Sequence, residues 1–311
     1  MDLRQLAALV AIADHGTFSA AAKALFTVQS NVSAHVARLE KELGTPLVDR
    51  ATGKLTAEGD LVVSRARRVQ GELNALSADI ASSGAEVRGD ARLGSIGTTA
   101  RWLAPEVLDR LHTEHPGVRA ILVEGPTTSL VPRLLDGQLD LAIIHLPAED
   151  PELDVEPLFS EDLVVVAPHG HPLAEHGATD IRELAEHALI LPAPGTSLRD
   201  DLDEMAGFAG FEFRAIAEID GVRLMASLAF ELFGPAILPA TAIPTWRDTR
   251  PLSQGWRIVD VPGLPRRNVG LATRRRGLLS APARSLAGIV VSVVRESGYR
   301  QTGLRSLAGT T

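Results

Sequence analysis

The sequence holds 311 residues, which is too long for one ordinary domain and predicts two or three. Hydrophobic residues make up 45% and charged residues 23%, as in ordinary globular proteins, and cysteine is absent. The absence of cysteine excludes disulfides, thiolate metal sites, a cysteine nucleophile and a thiol redox switch. The chain begins without a signal-peptide pattern and has no apolar run long enough to span a membrane, so we expect a cytoplasmic location.

The net charge of −8 is unevenly distributed along the chain. Residues 1–68 carry 9 Lys/Arg against 7 Asp/Glu, residues 90–265 carry 12 against 28, and residues 266–311 carry 9 against 1. A nucleic-acid site is judged by its local charge, so the acidic middle of the chain does not exclude DNA binding at the N-terminus.

The N-terminal segment shows apolar residues at helical spacing, interrupted by short turns. The predicted elements are a helix over 3–14, a second from a cap at Thr17 or Ser19 to Leu25, a third over 29–43, a short hairpin at 51–54, and a long helix from Thr56 to about Ser83. The long helix repeats apolar residues at Val69, Leu73, Leu76 and Ile80, near the spacing of a coiled-coil seam. This seam predicts a dimer, and the alternative is a helix packed on its own C-terminal domain.

After residue 89 strands alternate with helices, which predicts a parallel α/β sheet. The predicted strands are 91–97, 119–123, 139–144, 163–167, 188–191, 213–219, 257–261 and 269–273, and the predicted helices include 104–115, 130–136, 198–208, 224–231 and 281–296. The chain therefore combines an all-α N-terminal part with an α/β C-terminal part.

The third helix has the pattern of a DNA recognition helix, which presents polar side chains at its N-terminal end. Gln29, Ser30, Ser33 and His35 lie off the apolar Val32/Val36/Leu39 face, and Arg38 is placed for backbone phosphate. The alternative from spacing alone is a set of solvated polar positions on a core helix.

Longer motifs decide between these interpretations. The run Thr17–Leu25, then Gln29, Val32-Ser33, Arg38–Leu47, Arg50 and Leu55–Gly59 closely resembles the signature of LysR-type transcriptional regulators. The resemblance implies a winged helix-turn-helix, a long linker helix, and a two-lobed α/β effector domain resembling periplasmic binding proteins. It further implies DNA contacts by Thr17 and by Lys54 of the wing, an inverted-repeat operator, a homodimer or homotetramer, and RNA polymerase as a further partner.

The recognition segment departs from the family pattern at several positions. Val28 stands where the family has a capping Ser, so Thr27 is expected to cap in its place. Ser30 replaces the usual Pro, Ala34 removes a base-reading side chain, and the wing is short. We therefore expect DNA binding to be retained with an altered half-site preference.

In such a fold the effector lies between the lobes, at helix N-termini that follow the carboxyl ends of strands. The resemblance implies a cleft lined by Thr98, Thr99, Thr127, Ser129, His145, Thr196, Ser197 and Val222. Such a site suits a small carboxylate, although hydroxyls at helix starts are otherwise simple caps. Arg101 either counters a ligand carboxylate or pairs with a nearby acidic residue.

The predicted domains are a winged helix-turn-helix over 1–57, a linker helix and hinge over 58–89, lobe 1 over 90–163 plus 268–303, lobe 2 over 164–267, and a tail over 304–311. No cofactor, metal or catalytic residue is expected, because no P-loop, G-x-S-x-G or H-E-x-x-H motif is present. His169, His171 and His176 lack accompanying ligands at metal spacing. Arg274–Arg276 are expected at a solvated edge facing an acidic surface, and the alternative is a second DNA contact.

Two alternatives to an effector-controlled regulator remain open from the sequence. One is an α/β enzyme with a DNA-binding appendage. The other is a constitutive regulator whose effector site is filled by Phe230 and Phe233, where the family has a Gly-rich run.

Overall fold

The computed structural model describes residues 1–82, 86–175, 177–244, 255–297 and 303–307. Its N-terminal part contains α1 (Leu3–His15), α2 (Phe18–Ala24), α3 (Gln29–Leu43) and α4 (Ala57–Ala81). Asp2 begins α1 through a capping box with Gln5, and Thr17 caps α2 by accepting from the Ala20 N–H. Gly16 and Gly44 end α1 and α3 in the left-handed conformation that favours glycine.

The three short helices share one small core. Its buried members include Leu9, Ile12, Val32, Val36, Leu39 and Leu47. Val48 and Leu55 form an antiparallel bridge that closes the wing, as the hairpin at 51–54 predicted. The helix bounds agree with prediction because the apolar spacing is regular and the caps are local.

Lobe 1 is a mixed sheet covered by helices. Its elements are β1 (Gly89–Ser95), α5 (Gly97–Glu114), β2 (Val118–Glu124), α6 (Thr127–Leu135), β3 (Leu141–Leu146), the first part of β4 (Leu153–Pro168), β9 (Arg266–Arg274) and α9 (Ala281–Ser297). The strand order is β2-β1-β3-β9-β4. β1 pairs in parallel with β2 and β3, whereas β9 pairs antiparallel with β3 and β4. The prediction of a parallel sheet is therefore confirmed for β1, β2 and β3 and wrong for β9, because β9 returns from lobe 2 and enters lobe 1 in the opposite direction.

Lobe 2 is built on the second part of β4. Its further elements are β5 (Ala188–Pro192), α7 (Ser197–Ala209), β6 (Arg214–Ile219), α8 (Val222–Phe230), β7 (Ala236–Pro239) and β8 (Trp256–Val259). β5 pairs in parallel with β6 and β7, and β4 pairs antiparallel with β7 and β8.

β4 crosses from one lobe to the other as one strand of 16 residues. Residues 153–162 pair with β9 in lobe 1, and residues 163–168 pair with β7 and β8 in lobe 2. The sequence predicted only 163–167. The first part carries acidic side chains and several exposed positions, which mask a strand in a search for apolar runs.

Two helices of lobe 1 begin earlier than predicted. α5 begins at Gly97 rather than at 104, and α6 begins at Thr127 rather than at 130. Pro105 and Pro132 lie inside these helices, one residue after the predicted start of α5 and two residues after that of α6. Thr98, Thr99 and Thr127 consequently occupy first turns instead of loops.

The linker helix α4 has two different faces. One face packs on its own effector domain, where Ser64 donates to Asp136 at 2.5 Å and the Ala281 N–H donates to Asp79 at 2.6 Å. The other face exposes Leu61, Val69, Leu76 and Ile80 to solvent. The helix α4 therefore packs on its own effector domain and also exposes apolar residues, so the two alternatives predicted for it do not exclude each other.

Candidate DNA-binding surface and effector cleft

The third helix, α3, presents a polar start and a buried flank. Val32, Val36 and Leu39 are fully buried in the N-terminal core, whereas Gln29 and Ser30 are exposed in the first turn. Ser33 is half-buried one turn later. The first turn can therefore reach a nucleic-acid groove without disturbing the core.

The start of α3 has no side-chain cap. Val28 makes no cap hydrogen bond, and the Thr27 hydroxyl accepts from the Asn31 side chain at 3.0 Å rather than from a backbone N–H. The prediction that Thr27 substitutes as the cap was wrong, because its hydroxyl is used by a neighbouring side chain. The Asn31 N–H donates to the Val28 carbonyl, whereas the Gln29 and Ser30 N–H groups have no partner among the described residues and are available to a phosphate.

His35 and Arg38 lie together on the helix. The Arg38 guanidinium donates from Nη2 to His35 Nδ1 at 3.2 Å and from Nε to the Ala34 carbonyl at 3.2 Å. His35 is half-buried, on the flank opposite Ser33 across the helix. These contacts hold Arg38 close to the helix surface.

The wing is braced by Asp49, which accepts from the Ala51 N–H at 2.8 Å and the Thr52 hydroxyl at 2.9 Å. Arg50 forms an ion pair with Glu40 at 2.7 Å and is therefore engaged inside the domain. Lys54 is exposed and has no ion-pair partner within the described part of the chain. Both wing cations are exposed, but Arg50 is held by its ion pair, which leaves Lys54 as the wing cation free to contact DNA.

Three strand ends meet at one edge of lobe 1, where the Ile96 N–H donates to the Ile143 carbonyl. The His145 N–H donates to the Thr127 hydroxyl at 3.1 Å, which joins the end of β3 to the start of α6. Thr98 and Thr99 are buried in the first turn of α5, which follows β1. The predicted lobe 1 residues are therefore gathered at one edge, as the sheet order requires.

Two buried polar atoms at this edge have no hydrogen-bond partner among the residues that the structure describes: Thr99 Oγ1 and His145 Nδ1. Burial, assisted by the charge of Arg267, lowers the pKa of His145 to about 3. The imidazole is therefore neutral near pH 7 and can exchange one hydrogen bond with a ligand. Unpaired buried polar atoms are uncommon in folded proteins, and an ordered water or a ligand can supply the partner.

The second lobe contributes two helix starts. Thr196 caps α7 through the Arg199 N–H and donates its hydroxyl to the Ala193 carbonyl at 2.8 Å. Ser197 is exposed at the first position of α7, and Val222 begins α8 after Gly221. Ser129, in contrast, is exposed and donates its hydroxyl to the Pro126 carbonyl, so it acts as a local brace in lobe 1.

Two arginines join the lobes. Arg223 of α8 lies 3.1 Å from the carboxylate of Glu124, which ends β2. Arg101 donates from Nη1 to the Ala242 carbonyl at 3.0 Å, and within the described residues it pairs with no carboxylate. The alternative prediction, an ion pair between Arg101 and a nearby acidic residue, is therefore wrong for the described residues.

A buried ionic cluster, which the sequence analysis missed, lies where β4 changes lobes. Arg267 donates to Glu161 Oε1 at 2.6 Å, and Thr241 donates to Glu161 Oε2 from its hydroxyl at 2.7 Å. The Glu161 side chain is fully buried. The sequence signal that could have revealed this cluster is one charged residue on each of two strands that are rich in apolar residues, Glu161 on β4 and Arg267 on β9.

The remaining candidates lie away from the cleft. His171 accepts from the Leu173 N–H and stacks edge-on against His187, while His176 lies outside the described residues. Phe230 packs on Trp256 with ring centroids 4.8 Å apart, and Phe233 is 54% exposed. Within the part of the chain described, no group of three or more His, Asp or Glu could hold a metal ion.

Arg275 lies at a solvated edge facing an acidic residue, as predicted, because Arg275 and Asp154 are both exposed, whereas Arg274 is half-buried. Arg274 donates to the carbonyls of Leu134 and Leu139, and Arg275 pairs with Asp154 at 2.9 Å. Both are occupied because β9 lies between β3 and β4 and brings them against acceptors of lobe 1.

Comparison with known proteins agrees with both halves of this description. The family described as "Bacterial regulatory helix-turn-helix protein, lysR family" matches residues 3–60, and the "LysR substrate binding domain" matches residues 84–295. Among the described residues, no helix is long and apolar enough to cross a membrane.

Similar proteins are transcription regulators. A "Probable hydrogen peroxide-inducible genes activator" of Mycobacterium avium is 33% identical over 93% of each chain. The "DNA-binding transcriptional dual regulator OxyR" of Escherichia coli (strain K12) is 30% identical over 88% of this chain and 90% of its own. The solved structure of a full-length OxyR cysteine variant from Pseudomonas aeruginosa is similar in fold, with a TM-score of 0.73, 23% identity and 95% of each chain covered. The chain is therefore not an enzyme but belongs to the LysR family of DNA-binding transcriptional regulators, with a helix-turn-helix and an effector-binding domain.

Proposed function

We propose that this regulator binds a small polar effector, such as a carboxylate, in the cleft between its lobes, and that the effector alters how a homodimer or homotetramer binds an inverted-repeat operator. The observation that carries the proposal is the pair of unpartnered buried atoms, Thr99 Oγ1 and His145 Nδ1. Each unsatisfied buried polar atom costs on the order of 1–3 kcal/mol, which a ligand hydrogen bond would recover.

The electrostatics of the cleft favour an anion or a neutral polar ligand. The N-termini of α5 and α6 lie beside Thr99 and Thr127, and N–H groups at helix starts bind carboxylates. Thr98, Ser129, Thr196, Ser197 and Val222 are proposed as further cleft residues. Phe233 lies largely in solvent, which favours this function over a constitutive regulator with a filled site.

The absence of cysteine excludes effector sensing through thiol chemistry. The Mycobacterium avium relative named above is titled a probable peroxide-inducible activator, and the similar Pseudomonas aeruginosa structure is titled as a cysteine variant. Because this sequence contains no cysteine, its response cannot use thiol oxidation or a disulfide. We infer reversible, noncovalent effector binding.

For DNA we propose base contacts by Gln29, Ser30 and Ser33, with Arg38 and Lys54 contacting phosphate or the minor groove. Thr17 acts first as the cap of α2, and His35 supports Arg38. The predicted seam of α4 (Val69, Leu73, Leu76, Ile80) is proposed as the dimer contact, together with Leu61; all of these are exposed except Leu73, which is half-buried. RNA polymerase remains a predicted partner and the cytoplasm the predicted location.

The domain boundaries remain a prediction. The change of strand partner between Asp162 and Leu163 supports a border of lobes 1 and 2 at residues 163–164. The predicted hinge includes residues 83–85, and the predicted tail includes residues 308–311, which lie outside the described residues.

The proposal is tested by mobility-shift titration of the purified full-length chain on the DNA upstream of its gene and of the adjacent genes. We expect sequence-specific binding whose affinity changes when a screened small carboxylate is added, and a Thr99→Val variant that binds DNA equally but responds less. Binding that is independent of sequence at every salt concentration would contradict the DNA assignment. A response that survives Thr99→Val and His145→Gln together would contradict the cleft.

A further inference from the structure

The turn between α2 and α3 places a phenylalanine where the backbone favours glycine. The Phe26 N–H donates to the Lys23 carbonyl at 3.1 Å, and the Thr27 N–H donates to the Ala22 carbonyl at 2.9 Å. These two bonds form a Schellman motif, whose central residue must be left-handed, and Phe26 has a φ of +53° there. A Cβ atom disfavours this conformation, so Phe26 holds a strained backbone.

The side chain of Phe26 has no packing inside the chain that could offset this strain, because it is 98% exposed. Leu232 is the other non-glycine residue with a positive φ among the described residues, and its side chain lies against Gly255. Strained backbone that folding does not explain is concentrated at functional sites. Phe26 is unfavourable for the free protein both in its backbone and in its exposed ring, which points to a contact with a partner.

Phe26 lies beside the end of α3 that carries the proposed base contacts. Gln29 and Ser30 are exposed in the first turn of α3, and a recognition helix enters the major groove at its N-terminal end. Phe26 precedes Gln29 by three residues, so their Cα atoms are at most roughly 11 Å apart. The major groove is roughly 12 Å wide. The ring can therefore reach the groove that Gln29 enters.

The turn is fixed to the recognition helix, so the position of the ring is set before DNA binds. The Thr27 hydroxyl accepts from the Asn31 side chain at 3.0 Å, which joins the residue after Phe26 to the first turn of α3. Val28, between them, is 60% exposed and extends the apolar surface of the turn. Less conformational freedom is lost on binding when a contact is preorganised in this way.

The chemistry of the ring selects one feature of the groove. The base edges in the major groove present hydrogen-bond donors and acceptors, and the C5 methyl group of thymine is the apolar exception. A phenyl ring has no hydrogen-bonding group and gains free energy by covering apolar surface. An apolar side chain in the major groove therefore favours thymine.

We infer that Phe26 is a specificity-determining residue, whose ring packs on the C5 methyl group of one thymine in each half-site. This thymine lies within about three base pairs of the base that Gln29 reads, given the spacing of roughly 3.4 Å between bases along a strand. The inference rests on the proposed function, in which the first turn of α3 reads bases, and adds an apolar contact to its polar ones.

The test uses the full-length chain and a duplex that carries the binding site located by footprinting upstream of its gene. Each thymine of one half-site is replaced in turn by deoxyuridine, which removes the methyl group and keeps the base pairing. We expect wild type to lose about three- to fivefold in affinity at one thymine near the Gln29 base, the size expected for burying one methyl group. Phe26→Asn should bind the thymine duplex at least about threefold more weakly and lose nothing further with deoxyuridine at that position.

Further measurements separate this contact from folding and from electrostatics. Asparagine tolerates the left-handed conformation, so Phe26→Asn should melt at the wild-type temperature or above it. The salt slope of DNA affinity should stay unchanged, because an apolar contact releases no counterions. Phe26→Leu keeps an apolar side chain and should retain part of the sensitivity to the methyl group. Leu278→Asn, at an apolar position that is 83% exposed in the effector domain, should retain all of it.

Three results would overturn the inference. If Phe26→Asn loses affinity and stays as sensitive to the loss of each methyl group as wild type, the ring contacts the sugar rather than a thymine. If Phe26→Asn binds every duplex as wild type does, the ring faces away from DNA. If wild type binds specifically but tolerates deoxyuridine at every position, only this inference fails, whereas a wild type that binds no sequence specifically overturns the proposed function as well.

Discussion

Arg68 of the linker helix lies 2.9 Å from the Glu152 carboxylate and donates from Nε to the Leu135 carbonyl at 2.6 Å. Leu135 ends α6, and the same nine-residue helix begins at Thr127, which holds His145 in the cleft. One short helix therefore runs from the proposed effector site to the linker helix. Arg67 continues the connection through ion pairs with Asp136 and with Asp14 of α1.

We predict that Arg68→Gln weakens the coupling between effector and DNA without removing either binding activity. DNA affinity without effector should stay within about threefold of wild type, because partly exposed ion pairs contribute about 0–1 kcal/mol. The effector-induced change in affinity should fall at least about fivefold, which is a typical coupling magnitude. Mobility-shift titrations measure both quantities, with Arg65→Gln on an exposed position of the same helix as control. An unchanged response in Arg68→Gln would show that α6 does not transmit the signal.

The buried cluster at the lobe crossing should be costly to break. Glu161→Gln leaves the Arg267 charge buried without its counter-ion, so we expect a loss of about 3–5 kcal/mol in the free energy of unfolding. Asp154→Asn removes an exposed partner of Arg275 and should cost about 0–1 kcal/mol. Urea unfolding of the two variants measures the difference. Similar losses for both would contradict the role assigned to burial.

The pKa of His145 predicts a dependence of stability on pH. This pKa is lowered from 6.5 to about 3 in the folded chain. Between these two pH values His145 is protonated in the unfolded chain but neutral in the folded chain. The stability is therefore complete above pH 6.5 and declines as the pH falls towards 3, by up to about 1.4 kcal/mol per pH unit. Unfolding midpoints of wild type and His145→Gln should converge as the pH falls through this range. Parallel curves would show that His145 does not titrate as described.

The missing cap at the start of α3 can be supplied. Val28→Ser should accept from a free N–H of the first turn and stabilise the protein by roughly 0.5–2 kcal/mol, whereas Val28→Ala should not. Thermal unfolding of the wild type and both variants measures the effect. If serine and alanine give the same melting temperature, the first-turn N–H groups already have partners.

The base contact proposed for Gln29 and the DNA-backbone contact proposed for Lys54 should affect DNA affinity in different ways. Gln29→Ala should lose about 1–3 kcal/mol of discrimination at one operator position, since a bidentate Gln reads adenine. Lys54→Ala should weaken binding to all sequences and reduce the salt slope by about 1. Affinity measurements on operator variants at several salt concentrations separate the two. A Gln29→Ala variant that loses affinity uniformly on every sequence would reassign Gln29 to the DNA backbone.

The helix-turn-helix could be predicted closely from sequence because local signals determine it. α3 was predicted at its observed bounds, since Val32, Val36 and Leu39 mark a regular face and Gly44 ends it. The failure of Thr27 as a cap was not predictable, because it depends on which acceptor the Asn31 side chain takes.

The effector domain was less predictable because its elements depend on distant partners. The first part of β4 is a strand only because β9 pairs beside it, and β9 arrives about 100 residues later in the chain. The cluster of Glu161 and Arg267 and the link between Glu124 and Arg223 are likewise products of tertiary structure. The sequence supplied the residue types but not their distances.

The continuous strand β4 limits how the lobes can move. One connection between the lobes is this strand, and the other is the turn at residues 260–265 that leads into β9. A rotation of lobe 2 must therefore occur as torsion along a hydrogen-bonded strand, with the turn following passively. A continuous strand favours twist over wide opening, and the buried Glu161, held by Arg267 and Thr241, lies where the strand changes lobes. A spectroscopic label at residue 180 of lobe 2 would accordingly report a change of angle, with little change in its distance to the pivot.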